Sequence, residues 1–121
     1  MQTESVRQRK VADKIKQLVS VVIDRKLKDP GVGMTTVTHV RCTKDLGLAY
    51  IYFTVFGDEE TTRKTLKGLE RARNFIRNEI ARDLQLRTVP ELRFFVDDTQ
   101  DYARKIGRML DDIKPDDDEQ S

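Results

Sequence analysis

Residues 60–85 read ETTRKTLKGLERARNFIRNEIARDLQ, and the way this stretch must bend decides the fold. Leu66, Leu69, Ala72, Ile76, Ile80 and Leu84 recur at three- and four-residue steps, the period of an amphipathic helix. On a wheel of ~100° per residue, Arg73 falls inside that apolar stripe and Phe75 falls outside it. A straight helix would bury a guanidinium and expose a phenyl ring. A break near Arg73-Asn74 turns Arg73 outward and returns Phe75 to the core. Asparagine is, after glycine, the residue that best tolerates a left-handed backbone. The stretch is therefore predicted as two helices, about 60–72 and 75–85, meeting at a kink. Acidic residues in Gly57-Asp58-Glu59-Glu60-Thr61 suit the start of the first, where carboxylates meet the positive end of the helix dipole.

Upstream, Ser5-Val6-Arg7-Gln8 has the form of a capping box, with Ser5 as N-cap and Gln8 reaching back. Val11, Ile15, Leu18, Val19, Val22 and Ile23 then follow helical spacing, so a first helix is predicted over about 5–27. Asp29-Pro30-Gly31 stops it, because proline disfavours helical geometry at the residue before it. Residues 34–42, MTTVTHVRC, are rich in β-branched side chains and predict a strand. After turn residues Asp45 and Gly47, LAYIYFTVF at 48–56 predicts a second strand, antiparallel to the first. Its alternation sets Ala49, Ile51, Phe53 and Val55 on one face and Tyr50, Tyr52 and Thr54 on the other.

Downstream, Val89-Pro90-Glu91 ends the helical pair. Leu92, Phe94 and Val96 then alternate with Arg93 and Phe95 as a third strand. Asp97-Asp98-Thr99 can cap a last helix near 100–113, where Tyr102, Ile106, Met109 and Ile113 are spaced for one apolar stripe. The PDDDEQS end lacks apolar residues and is expected to be a disordered acidic tail over 114–121, outside a single domain at 1–113.

The chain has 121 residues, enough for one domain and too few for two. One cysteine excludes an internal disulfide framework. No apolar run approaches the ~20 residues of a membrane span. The opening MQTESVRQRK lacks the apolar core of a secretory signal, so a cytoplasmic monomer away from membranes is expected. The net charge of +2 hides a division: residues 1–93 hold nineteen Lys/Arg against twelve Asp/Glu, while residues 94–121 hold four against nine. A basic body points to a polyanionic partner.

Catalytic chemistry has little to draw on. His39 and Cys42 stand three apart on one predicted strand, so alternation sends them to opposite faces, and no further His or Cys completes a metal site. Glycine-rich nucleotide-binding motifs are missing as well. No enzyme and no cofactor are expected. Binding is better provided for. Arg7, Lys10, Lys14, Arg25 and Lys28 follow a helical series on one flank of the first helix. Arg71, Arg73, Arg77 and Arg82 cluster around the kink. Two such rows can neutralise several phosphates, and arginine suits bidentate phosphate contact. Tyr50 and Tyr52 admit two roles: stacking on bases, or packing under the last helix through Ile106 and Met109.

The order helix–strand–strand–helix–kink–helix–strand, with helices covering one face of a three-stranded sheet, resembles the type II KH domain, an α+β binder of single-stranded nucleic acid. KH domains clamp the nucleic-acid backbone with a GXXG loop. The corresponding junction here is Arg71-Ala72-Arg73-Asn74, without those glycines. At the residue level the chain is similar to ribosome-binding factor A. The stretches that carry the likeness are KVADKIKQLVSVVIDRKLKDPGVG (10–33), VTHVRCTKDLGLAYIYFTV (37–55) and LERARNFIRNEIARDLQLRTVPELRFFVDDT (69–99). Together with the helix that follows, the likeness runs from residue 7 to about 112.

That family carries Ala-x-Gly at the kink. Ala72 matches, and Asn74 stands where glycine is usual. The resemblance implies a non-catalytic small-subunit assembly factor. It binds free 30S subunits and their rRNA, promotes maturation of the 16S rRNA 5′ end and supports growth in the cold; DNA is not among its partners. The predicted contacts are Arg7, Lys10, Lys14, Arg25, Lys28, Arg71, Arg73, Asn74, Arg77 and Arg82. The alternative is a general single-stranded RNA-binding KH-like module.

Overall fold

The computed structural model describes residues 4–98. The predicted helix at 100–113 and the tail at 114–121 lie outside the described residues. Helix α1 runs Val6–Val21 and begins with the anticipated box: Gln8 N–H donates to Ser5 Oγ at 3.0 Å, and Ser5 N–H donates to Gln8 Oε1 at 2.9 Å. The side-chain Nε2 of Gln8 also donates to the carbonyl of Cys42 at 3.0 Å, so the cap pins the helix to the sheet. The α-helical course ends earlier than the predicted 5–27. Val22–Lys26 form a π turn, closed by Leu27 N–H donating to Val22 O at 2.9 Å. Widening the last turn by one residue keeps both Val22 and Ile23 buried before the chain leaves at Asp29-Pro30.

Strands β1 (Thr35–Cys42) and β2 (Leu48–Val55) form the antiparallel hairpin. Its turn is held by Asp45, whose carboxylate accepts from Thr43 Oγ1 at 2.7 Å and Gly47 N–H at 2.9 Å. These bonds hold the Asp45 carboxyl below the usual carboxylate range, with Thr43 the larger cause. The left-handed residue there is Leu46, at φ 60°. That geometry costs a leucine about 1 kcal/mol, and burial of its side chain against the core outweighs it. The β1–β2 register shifts between Val37 and His39, which leaves Thr38 as a bulge. The bulge lets Val37 and Val40, three apart, both face the core while His39 faces outward.

Helices α2 (Glu59–Arg71) and α3 (Arg73–Ala81) then carry the chain across to β3 (Glu91–Val96). Strand β3 lies parallel to β2, giving the sheet order β1-β2-β3. A parallel neighbour requires such a crossover, which is why the helical pair sits between these strands in the chain. Ile15 and Val19 of α1, Leu69 of α2, and Ile76 and Ile80 of α3 are buried against Ile51, Phe53 and Leu92. All three helices thus cover one face of the sheet, as predicted.

Gly68 lies inside α2 for a packing reason: a Cβ there would stand 2.6 Å from Val32 Cγ2 of the loop before β1. The same loop is fastened to α2 by Gly33 N–H donating to the fully buried Thr65 hydroxyl at 3.0 Å.

Candidate nucleic-acid interface

The helix breaks, but not where the wheel predicts. Its pivot is Ala72, with φ −90° and ψ 4°, and α3 resumes at Arg73. One residue near ψ 0° redirects the chain without any left-handed position, so Asn74 has no positive φ and lies exposed in the first turn of α3. The expected role of Asn74 as the kink residue is corrected accordingly. Phe75 does not return to the core either: it is 42% exposed, because a break at Ala72 leaves Ile76 and Ile80 as the inward pair.

Three of the four kink cations have partners within the fold. The guanidinium of Arg77 donates to the carbonyls of Val89 at 2.7 Å and Pro90 at 3.1 Å, which ties α3 to the loop entering β3. Arg71 Nη2 reaches both carboxylate oxygens of Asp29 at 3.1 Å and so holds the end of α2 to the turn after α1. Asp29 also accepts from Gly31 N–H at 2.8 Å. That backbone bond is the main cause, and Arg71 a smaller one, of a carboxyl held below its usual range. Arg82 sits 3.5 Å from Glu79, which accepts at 3.0 Å from Lys26 of the π turn.

Half-buried Arg73 takes a different place. Glu91, at the start of β3, is held below the usual carboxylate range first by its hydrogen bond and ion pair with Arg93, at 3.2 Å, then by Arg73 and Arg77. Arg93 pairs with Glu91, and Arg73 and Arg77 of α3 are near enough to act on the same carboxylate. Arg93 was not among the predicted contacts. Its place on the outward face of the third strand was readable from alternation. Its nearness to the kink depends on β3 lying beside β2 with Glu91 opposite Leu48, which alternation does not contain.

On the first helix, Arg7, Lys10 and Lys14 are all exposed and occupy about a 60° arc of α1. The predicted series does not continue as one helical row. Arg25 falls in the π turn and Lys28 in the loop beyond it, where the angular step of an α-helix no longer applies. Both are exposed.

Among the described residues the one cysteine is not set up as a nucleophile. Cys42 is buried, and burial pushes its thiol up to about 11, away from the reactive thiolate form. No group of three or more His, Cys, Asp or Glu side chains converges there as a metal site. No described helix is long and apolar enough to cross a membrane.

A three-stranded sheet under three helices, with a one-residue kink edged by arginines and no glycine loop, defines a type II KH-like α+β domain in a variant form. The chain belongs to the ribosome-binding factor A family, whose profile matches residues 7–110. The ribosome-binding factor A of Macrococcus caseolyticus is 45% identical over 112 residues, covering 93% of this chain and 98% of that protein. The crystal structure of ribosome-binding factor A from Thermus thermophilus superposes with a TM-score of 0.67 at 27% identity, covering 74% of this chain and 93% of the other. A Thermus thermophilus ribosome binding factor A homology model, fitted into a cryo-EM map of a 30S complex, shares the fold. Its TM-score is 0.56 at 24% identity, over 78% of this chain and 96% of the other.

Proposed function

We propose that this protein is a non-catalytic assembly factor that binds free small ribosomal subunits through rRNA phosphates. The observation that carries the reading is membership of the ribosome-binding factor A family over nearly the whole domain. The cationic surface agrees with it. Arg7, Lys10 and Lys14 form an exposed strip, and Arg73 and Arg93 both act on Glu91 near the kink. Arg71 and Arg77 act first as fasteners that hold this surface in shape.

Docking such a preformed surface favours whichever rRNA conformation presents phosphates at matching positions, and differential affinity is all that such a shift requires. Promotion of 16S rRNA 5′-end maturation and support of growth in the cold belong to the same proposal as consequences of that preference. So do a cytoplasmic location and a monomeric state.

The test is sedimentation of a lysate on a sucrose gradient. The protein is expected in the free small-subunit fraction and away from assembled ribosomes. Replacing Lys10, Lys14 and Arg73 together by glutamine is expected to move it toward the top of the gradient while its melting temperature stays nearly unchanged. A wild-type protein that stays at the top of the gradient at low salt would refute the proposal.

A further inference from the structure

The sheet face opposite the helices carries two cross-strand rows, of which the phosphate-docking surface draws on Arg93 alone. Pairing registers set Arg41, Tyr50 and Arg93 side by side across β1, β2 and β3, and His39, Tyr52 and Phe95 side by side in the adjacent row. In the second row the ring centroids lie 6.0 Å apart for His39–Tyr52 and 5.5 Å for the stacked Tyr52–Phe95 pair. Tyr50 and Phe95 approach to 5.8 Å across the rows. The rings thus form one connected patch, and Phe95 is 42% exposed.

Rows two residues apart on a strand are separated by roughly 6.6 Å, so two guanidinium groups flanking Tyr50 run directly beside a line of rings. Arg41 is exposed and has no ion pair among the described residues, and Arg93 belongs to the cluster beside the kink. A shallow depression on this face is lined by His39, Arg41, Tyr52 and Val96 together with Asp97 and Asp98. The Thr38 hydroxyl donates to Asp97.

From this juxtaposition we infer a second binding surface, a platform for unpaired RNA bases. Bases stack on the His39–Tyr52–Phe95 row, and the phosphates joining them lie along the Arg41–Tyr50–Arg93 row. Exposed His39 and Phe95 and half-buried Tyr50 and Tyr52, beside guanidinium groups, fit a single-stranded polyanion with π faces; stacking of that kind is tolerant of sequence. Through Arg93 the platform is continuous with the kink cluster, so a strand leaving the phosphate surface can pass onto it. The inference rests on the rRNA-binding reading for the identity of the natural polymer, but not for the stacking chemistry.

Titration with hexauridylate RNA at low salt tests it. The chain has three tyrosines and no tryptophan, and two of the tyrosines lie in this patch, so intrinsic tyrosine fluorescence reports directly. Quenching is expected with hexauridylate and not with inorganic polyphosphate. The double variant Tyr52→Leu/Phe95→Leu keeps apolar area on the sheet and is expected to bind hexauridylate about tenfold more weakly or worse. Arg41→Gln, which breaks no contact, is expected to weaken binding by a smaller factor while leaving the quench amplitude intact.

Unquenched tyrosines, or unchanged hexauridylate affinity in the leucine variant, would overturn the platform. A leucine variant that changes only self-association or capture of another protein would overturn it too. Small-subunit sedimentation of wild type is read separately. Quenching without subunit binding would refute the ribosomal reading alone, and subunit binding without quenching would refute the platform alone.

Discussion

Replacing Arg77 by glutamine removes a guanidinium that donates to two backbone carbonyls, Val89 at 2.7 Å and Pro90 at 3.1 Å. Hydrogen bonds from charged donors contribute about 1.5–3 kcal/mol each. The site is only partly buried, so water can replace part of what is removed, and the net cost is about 2–3 kcal/mol. For a domain of this size that lowers the melting temperature by about 10 °C or more. Circular dichroism during heating measures it. Arg77→Lys should fall between glutamine and wild type, because one ammonium cannot reproduce a two-pronged guanidinium contact. Arg73→Gln, one turn away with no hydrogen bond to a carbonyl among the described residues, should stay within about 0.5 kcal/mol of wild type. A melting temperature for Arg77→Gln within about 2 °C of wild type would show that the two contacts do not hold the α3–β3 connection, and the division into fasteners and docking cations would fail with it.

Gly68→Ala gives α2 a better helix former, worth about 1 kcal/mol in isolation. It also drives a methyl to 2.6 Å from the stiff Val32 side chain, so a net loss of about 1–2 kcal/mol is expected in urea unfolding, and a gain would contradict the packing account. Asp29 has a lowered carboxyl pKa in the folded state. Its contribution is therefore complete above the ordinary carboxylate range and disappears as pH falls through the folded value. Asp29→Asn should be less stable than wild type at pH 7, with the difference shrinking in acid; a gap that widens in acid would refute the account of an ionised Asp29 held by Gly31 N–H and Arg71. Subunit affinity should fall steeply with salt, and Lys10→Gln/Lys14→Gln should reduce the log–log slope by about 1.5, given roughly 0.7–0.9 for each phosphate no longer neutralised. An unchanged slope would remove these two lysines from the interface.

Local rules in the chain determined much of this protein. The Ser5–Gln8 box, the outward His39 and inward Cys42, the alternation of Ala49, Ile51 and Phe53, and a broken helix between Leu66 and Leu84 follow from side-chain chemistry and periods of two or 3.6. Each depends on neighbours within a few residues, and a sequence displays those in full. The cationic clusters were legible as composition; what each cation does was not.

Tertiary structure decided where the break falls and which arginines are engaged. Ala72 became the pivot in place of Asn74 because a bridge-region residue is enough to redirect the helix, and the buried positions of Leu69, Ile76 and Ile80 fix the angle that must be met. Arg77 and Arg71 became fasteners, and Arg93 joined the kink cluster, because the parallel β2–β3 register and the turn at Asp29 bring distant carbonyls and carboxylates close to them. A guanidinium binds whatever acceptor lies within about 3 Å, and across twelve to forty-two residues of chain only the packed fold specifies which acceptor that is.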